Sequence, residues 1–139
     1  MDISSSNGMP DGHPAPFAIV TRDVPDLRVV RFLGELDVIA ADRVTEVLRS
    51  AVDSGSPVIA DCAAVTFSSS AVLGVFYATH VRATKSGTRF VLVTNARALL
   101  RPLDLLGLLD AMTVVPDMAA ALAELELWEL EPRLTDHDR

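Results

Sequence analysis

Apolar runs of strand character alternate with stretches of helical periodicity along this chain. That alternation predicts an α/β fold: a mostly parallel sheet of about four to five strands carrying about four helices. Three observations support it. Two short runs rich in β-branched and aromatic residues, near 17–21 and 27–33, are separated by little more than Pro25-Asp26, which predicts an N-terminal antiparallel hairpin. Residues 42–52 place Val44, Val47, Leu48, Ala51 and Val52 on one helical face. From Val58 onward, short apolar runs are each followed by a helical stretch. The predicted order is β-β-α-β-α-β-α-β-α.

Each element has its own signals. Phe17 to Thr21 reads as a first strand, Pro25-Asp26 as a turn, and Leu27 to Leu33 as a second strand closed by Gly34-Glu35-Leu36-Asp37. The first helix carries Asp42, Arg43, Glu46 and Arg49 on its outer side, and Ser54-Gly55-Ser56-Pro57 stops it. Val58 to Cys62 reads as a short buried strand ending near Asp61, followed by a short loop. Ala71 to Lys85 is a second helix, apolar almost all round at its start, and Ser86-Gly87 ends it. Arg89 to Thr94 is a strand. Asn95 is the expected cap of a helical stretch to Leu106, with Gly107 just beyond. Pro102 fits the first turn of a short helix better than a helix interior, leaving residues 96–100 as an irregular lead-in. Met112 to Val115 is a last short strand, and Asp117 caps a closing helix to about Leu127. Residues 1–15, rich in Ser, Gly, Pro and Asp, read as a disordered tail, 16–127 as the domain, and 128–139 as a polar C-terminal tail.

Composition narrows the function. The 139 residues suffice for one domain, and 50% of them are hydrophobic, enough for a core. The net charge of −7 argues against a nucleic-acid binder, which needs a basic patch. Cys62 is the single cysteine, so no internal disulfide and no thiolate metal cluster can form within one chain. The N-terminus has neither the basic nor the apolar region of a signal peptide, and no run is long and apolar enough to span a membrane. The expectation is a soluble cytoplasmic protein. His13, His80 and His137 are not spaced as metal ligands. Ser70 and His80 lie ten residues apart on one expected helix, about 15 Å at helical rise, too far for a catalytic hydrogen bond. No glycine-rich phosphate cradle is visible. No catalytic residue, metal or cofactor is expected.

The most informative stretch is Asp61 to Gly74, DCAAVTFSSSAVLG. Ser68-Ser69-Ser70 stand immediately before an apolar helix. A serine hydroxyl there can cap the helix by accepting a backbone N–H. A hydroxyl there is also well placed to carry phosphate, because a helix N-terminus favours negative charge. The plainer reading of Ser69 is a cap alone.

The order of elements and four local motifs resemble a free-standing STAS domain of the anti-sigma-factor antagonist type. Gly34-Glu35-Leu36-Asp37 matches the family's G-x-L-D. Val58-Ile59-Ala60-Asp61 with Val65-Thr66-Phe67 resembles V-L-D-L-S-x-V-x-F. The serine junction resembles D-S-S/T-G-L-G, and Leu105-Leu106-Gly107-Leu108 resembles L-x-x-T/L-G-L. Each motif alone is weak; the combination, spaced over residues 17–126, is specific. Alignment on Phe67 and Leu73-Gly74 puts Ser70 at the family's phosphoacceptor position, with Ser69 and Ser68 as alternative acceptors. Ser69 then replaces the family Asp and Val72 the family Gly.

The resemblance implies a partner switch. An antagonist of this kind binds an anti-sigma factor, itself an ATP-dependent serine kinase, and so frees a sigma factor for transcription. Phosphorylation at the serine junction expels the partner, and a serine phosphatase resets the switch. The implied partner surface is Ser68, Ser69, Ser70, Ala71, Val72 and Val75, with Asp37 alongside or acting only as a cap. The implied state is a monomer or weak dimer. A second reading, favoured by the Ser69 and Val72 departures, is a non-phosphorylated STAS interaction or scaffold module that binds a regulatory protein or small ligand. A third is an enzymatic or ligand-binding α/β domain unrelated to sigma control.

Overall fold

The computed structural model describes residues 16–137, with side chains described as far as residue 127. The element order within that span is β1 (Phe17–Val24), β2 (Leu27–Leu36), a 3-10 turn (Val38–Ala40), α1 (Ala41–Asp53), β3 (Val58–Ser68), α2 (Ser70–Lys85), β4 (Phe90–Val93), α3 (Arg97–Leu105), β5 (Thr113–Val115) and α4 (Met118–His137). This is the α/β order expected from the sequence. The expected tail at 1–15 lies outside the described residues. The backbone of α4 runs on to His137, past the expected end near Leu127.

The strands form one sheet in the order β1-β2-β3-β4-β5. β1 and β2 are an antiparallel hairpin, in register from Phe17↔Gly34 to Val24↔Leu27. The other neighbours are parallel. Strand order never reverses after β2. Right-handed crossovers therefore place the connecting helices α1, α2 and α3 on one face. The larger core cluster lies beneath them and includes Phe32, Leu36, Leu48, Phe76, Leu99 and Leu103. Phe76 meets Phe32 edge-on at 5.8 Å between ring centroids and Phe90 in a stacked arrangement at 6.5 Å. α4 is not a crossover, and it covers the opposite face over Ile59, Val91, Val93 and Val115. A sheet without a reversal also lacks the crevice in which open α/β sheets bind nucleotides.

Three local expectations are corrected. β3 does not stop near Asp61 but continues to Ser68. Two irregularities, between Arg31/Leu33 and Gly34/Glu35, absorb extra β3 residues and keep the strand paired with β2. Pro102 lies inside α3 instead of starting a short helix, and Ala96, not Asn95, is the N-cap. The Thr94 hydroxyl steadies that start by accepting the Ala96 N–H at 3.2 Å. The end of α3 matches expectation. Gly107 takes φ 74°, its N–H reaches the Asp104 carbonyl at 3.0 Å, and the Leu108 N–H reaches the Leu103 carbonyl at 2.8 Å, a complete Schellman closure.

Candidate functional site

The site forms where β2 and β3 end and α2 begins. β2 and β3 run parallel and finish level with one another, Leu36 opposite Ser68. The chain after β2 turns at Asp37, whose carboxylate accepts the Val38 N–H at 2.6 Å while its carbonyl accepts the Ala40 N–H at 2.8 Å. The cap expected as the plainer role of Asp37 is therefore present. After β3, Ser69 keeps an extended backbone (φ −71°, ψ 160°), and its N–H donates to the Leu36 carbonyl at 2.8 Å.

The three serines occupy different environments. Ser68 is buried, 4% exposed, and its hydroxyl donates to the Ser69 carbonyl at 3.2 Å. Ser69 is the N-cap of α2; its hydroxyl oxygen accepts the Val72 N–H at 3.2 Å. Ser70, the first residue of α2, is exposed. The first turn of α2 holds no acidic residue, and Arg82 and Lys85 sit in its last turn, the charge arrangement that suits a helix dipole. The Leu73 N–H is taken by the Ser69 carbonyl and the Val72 N–H by the Ser69 hydroxyl. The helical pattern supplies no acceptor for the Ser70 and Ala71 N–H groups, which open toward solvent.

Two expected partner contacts are corrected. Val72 is 0% exposed and belongs to the core, so it has no surface to offer a partner. Its β-branched side chain fills the protein instead of obstructing an approach. Ser68 is buried as well and is neither an accessible acceptor nor a contact. Ser70, Ala71 and Asp37 are exposed, Ser69 and Val75 half-buried, and all stand at the same end of the sheet or on the first turns of α2.

Sequence reading missed three further residues here. Val38 and Ile39 follow Asp37 on the 3-10 turn, are 60% and 83% exposed, and lie beside α2. An apolar pair directly after the G-x-L-D run was the available signal. Gly74 is exposed one turn after Ser70, and a Cβ built on it meets nothing within 4 Å. A helix-interior glycine with no steric need for its small size is itself a signal, because it costs the helix up to about 1 kcal/mol relative to alanine.

Ser70 and His80 lie ten positions apart on α2, as expected. Cys62 is fully buried, and burial, with the adjacent Asp61 carboxylate second, pushes its thiol far above the ordinary range. Among the described residues no group of three His, Cys, Asp or Glu side chains could hold a metal ion. No helix among them is long and apolar enough to cross a membrane.

A parallel sheet with an N-terminal hairpin, three helices on one face and a capped strand-to-helix junction defines a small single-sheet α/β domain. The STAS domain family model matches residues 18–121, and the chain belongs to that family. Among solved structures, an anti-sigma factor antagonist from Mycobacterium paratuberculosis is similar at 26% identity, over 86% of this chain and 98% of that one, with a TM-score of 0.73. The phosphorylated form of the Bacillus cell fate determinant SpoIIAA shares the fold at 18% identity, over 78% of this chain and 99% of that one, TM-score 0.61. So does a sulfate transporter family protein from Wolinella succinogenes at 21% identity, over 76% and 90%, TM-score 0.63. Among curated proteins none matches.

Proposed function

We propose that this chain is an anti-sigma factor antagonist whose partner binding is controlled by phosphorylation of Ser70. One observation carries the reading. Of the three serines, only Ser70 is exposed with its hydroxyl uncommitted, and it stands at the first position of α2. The designation of the Mycobacterium paratuberculosis structure as an anti-sigma factor antagonist supports the same role. The expected partner is an anti-sigma factor with serine kinase activity. ATP belongs to that kinase, so this chain needs no cofactor.

The unmodified surface would consist of Asp37, Val38 and Ile39 on one side and Ser70, Ala71, Gly74 and Val75 on the other. It is apolar and small-residued, and suits close approach by a partner. A phosphate on Ser70 adds a charge of about −1.5 to −2 at neutral pH. Within the chain the free Ser70 and Ala71 N–H groups and the helix dipole stabilise it, by about 0.3–1 kcal/mol for the dipole. Within an interface the same charge must be desolvated, and the partner leaves without any refolding of the domain. Ser69, in place of the family Asp, caps α2 without a carboxylate beside the phosphate, so no like charge opposes modification from that position. A serine phosphatase would reset the switch, which we place in the cytoplasm of a bacterial cell.

The test is incubation of the purified chain with each anti-sigma serine kinase of its own organism and ATP, followed by phosphosite mapping and affinity measurement. Phosphate on Ser70, lost in Ser70→Ala, is expected, together with binding weakened at least about tenfold by Ser70→Asp, equivalent to about 1.4 kcal/mol. No binding to any such kinase and no phosphate near residue 70 would overturn the reading. The second reading, a STAS module that binds its partner without phosphorylation, is favoured by Ser69, which leaves the position before Ser70 without the carboxylate of the family pattern. Binding without phosphate uptake selects it.

A further inference from the structure

We propose that the free edge of β1 pairs with the same edge of a second copy, antiparallel about a dyad at Val20, so that two sheets join into one. β1 ends the strand order, and β2 is the only strand paired with it among the described residues. The Glu35 N–H donates to the carbonyl of Pro16, the residue directly opposite, which marks a bonded pair. The two-residue turn at Pro25-Asp26 closes on another, Val24 with Leu27. Bonded pairs recur at every second residue, so Ala18, Val20 and Arg22 direct their backbone groups to β2. Phe17, Ile19, Thr21 and Asp23 aim theirs away from it. This edge lacks the usual guards of a lone strand. Between Pro16 and Pro25 it holds no proline and no lysine, and its register with β2 is unbroken. The Asp23 carboxylate is held by Arg28 at 3.3 Å. Val20, at the middle, is 53% exposed. The opposite edge of the sheet, β5, is only three residues long.

The strand's own sequence selects the occupant. With the dyad at Val20, Phe17 lies opposite Asp23 of the second copy and Ile19 opposite its Thr21. These are the residues with outward backbone groups, so N–H meets carbonyl along the whole span. Ala18 faces Arg22 of the second copy and Val20 faces its own counterpart, so no like charges meet. Pro16, which has no N–H, falls just outside the paired span. The helices do not obstruct the pairing. α1 lies against β2, and β2 and its copy stand three strand spacings apart, about 14 Å, wider than the roughly 8–10 Å of packed helices. β2 and its copy run in opposite directions. The two serine junctions therefore stand at opposite ends of the joined sheet, clear of the contact.

Cysteine cross-linking in the full chain reads the register, because the native Cys62 is buried. Val20→Cys sets two thiols across a non-bonded pair with Cα atoms about 4.5 Å apart, within disulfide reach. Mild oxidation is expected to give covalent dimer from Val20→Cys. Ala18→Cys alone and Arg22→Cys alone are about 14 Å out of step along the strand and should give none, whereas the two mixed should give it. Equal cross-linking in all three single variants, or none from Val20→Cys, would overturn the proposal. Sedimentation across a concentration series reads the association itself. The full chain should dimerise reversibly, and Val20→Lys, which sets two ammonium groups on the dyad, should weaken association at least about tenfold. Thr21→Pro removes an N–H that β2 does not use, and should weaken association likewise with far-UV circular dichroism unchanged. A chain monomeric at every concentration, or association unaltered in both variants, would overturn the pairing.

Discussion

The Ser69 N–H donates to the Leu36 carbonyl oxygen at 2.8 Å, which carries the β2–β3 ladder one step beyond the last strand pair. The residues that follow each partner, Asp37 and Ser70, therefore leave the sheet from adjacent points. Two segments separated by some thirty positions in sequence present one surface because that single bond fixes where both begin. Loosening β2 relative to β3 would disturb the surface even with Ser70 untouched.

Ser69 and Ser70 should separate cleanly on substitution. Ser69→Ala removes the oxygen that accepts the Val72 N–H, and a urea titration should show a loss of about 1 kcal/mol. Ser70→Ala touches no hydrogen bond within the fold and should stay within about 0.5 kcal/mol of the parent. Equal losses would mean the two serines share the capping role.

Gly74 offers a test of stability against function. Open space surrounds its Cβ position, so Gly74→Ala should raise stability by about 0.5–1 kcal/mol through the helix alone. A longer side chain, Gly74→Gln, should keep the fold but, under the proposed function, weaken anti-sigma factor binding by about tenfold, or about 1.4 kcal/mol. Calorimetric titration against the partner reads the second effect, and unaltered affinity would remove Gly74 from the interface.

Gly34 is constrained from two directions. Its φ is +90°, and an added Cβ would lie 2.3 Å from the Pro16 carbonyl oxygen, the same oxygen that accepts the Glu35 N–H. Gly34→Ala should therefore cost about 2 kcal/mol or more, as strained backbone positions do. Thermal unfolding measures the cost. Amide spectra should show the displacement centred on Pro16, Phe17 and Glu35.

His80 gives the fold a pH dependence of definite sign. Burial, with Arg89 second, holds its pKa below the ordinary 6.5, and its ring stacks on Tyr77 at 6.2 Å between centroids. Between the lowered value and 6.5 the unfolded chain binds more protons than the folded one. The stability tied to neutral His80 is full above about pH 6.5 and is lost as pH falls through that window. The urea midpoint of His80→Gln should fall less than the parent's between about pH 7 and about pH 5.

The order of elements was legible because local pattern decides it. The apolar stripe of α1, the two-residue gap at Pro25-Asp26 and the glycine closing α3 each act within a few residues. The misses depend on pairing and burial that local pattern does not show. Asp61 looks like a strand end, yet pairing with Arg31 and the irregularities beyond it carry β3 to Ser68. Pro102 looks like a helix start, but burial of Leu99 and Leu103 on either side holds it inside α3. The serine junction was located correctly, but which of its side chains face outward was not. An apolar helix start gives no clue to its exposed side, and only packing under α2 shows that Val72 turns inward while Gly74 faces water. Val38 and Ile39 went unnoticed because a turn so short has no periodicity to read.

The unbroken order of strands across the sheet bears on how the molecule is made. Each strand from β2 onward lies beside the one that precedes it in sequence, so every parallel pairing closes over a single crossover. A ribosome releasing this chain from its N-terminus always presents a new strand to an edge that has already emerged. β2 and β3 precede α2 in the sequence, so both strands have emerged by the time Ser70 does. The final helix closes the far face only after every strand is in place.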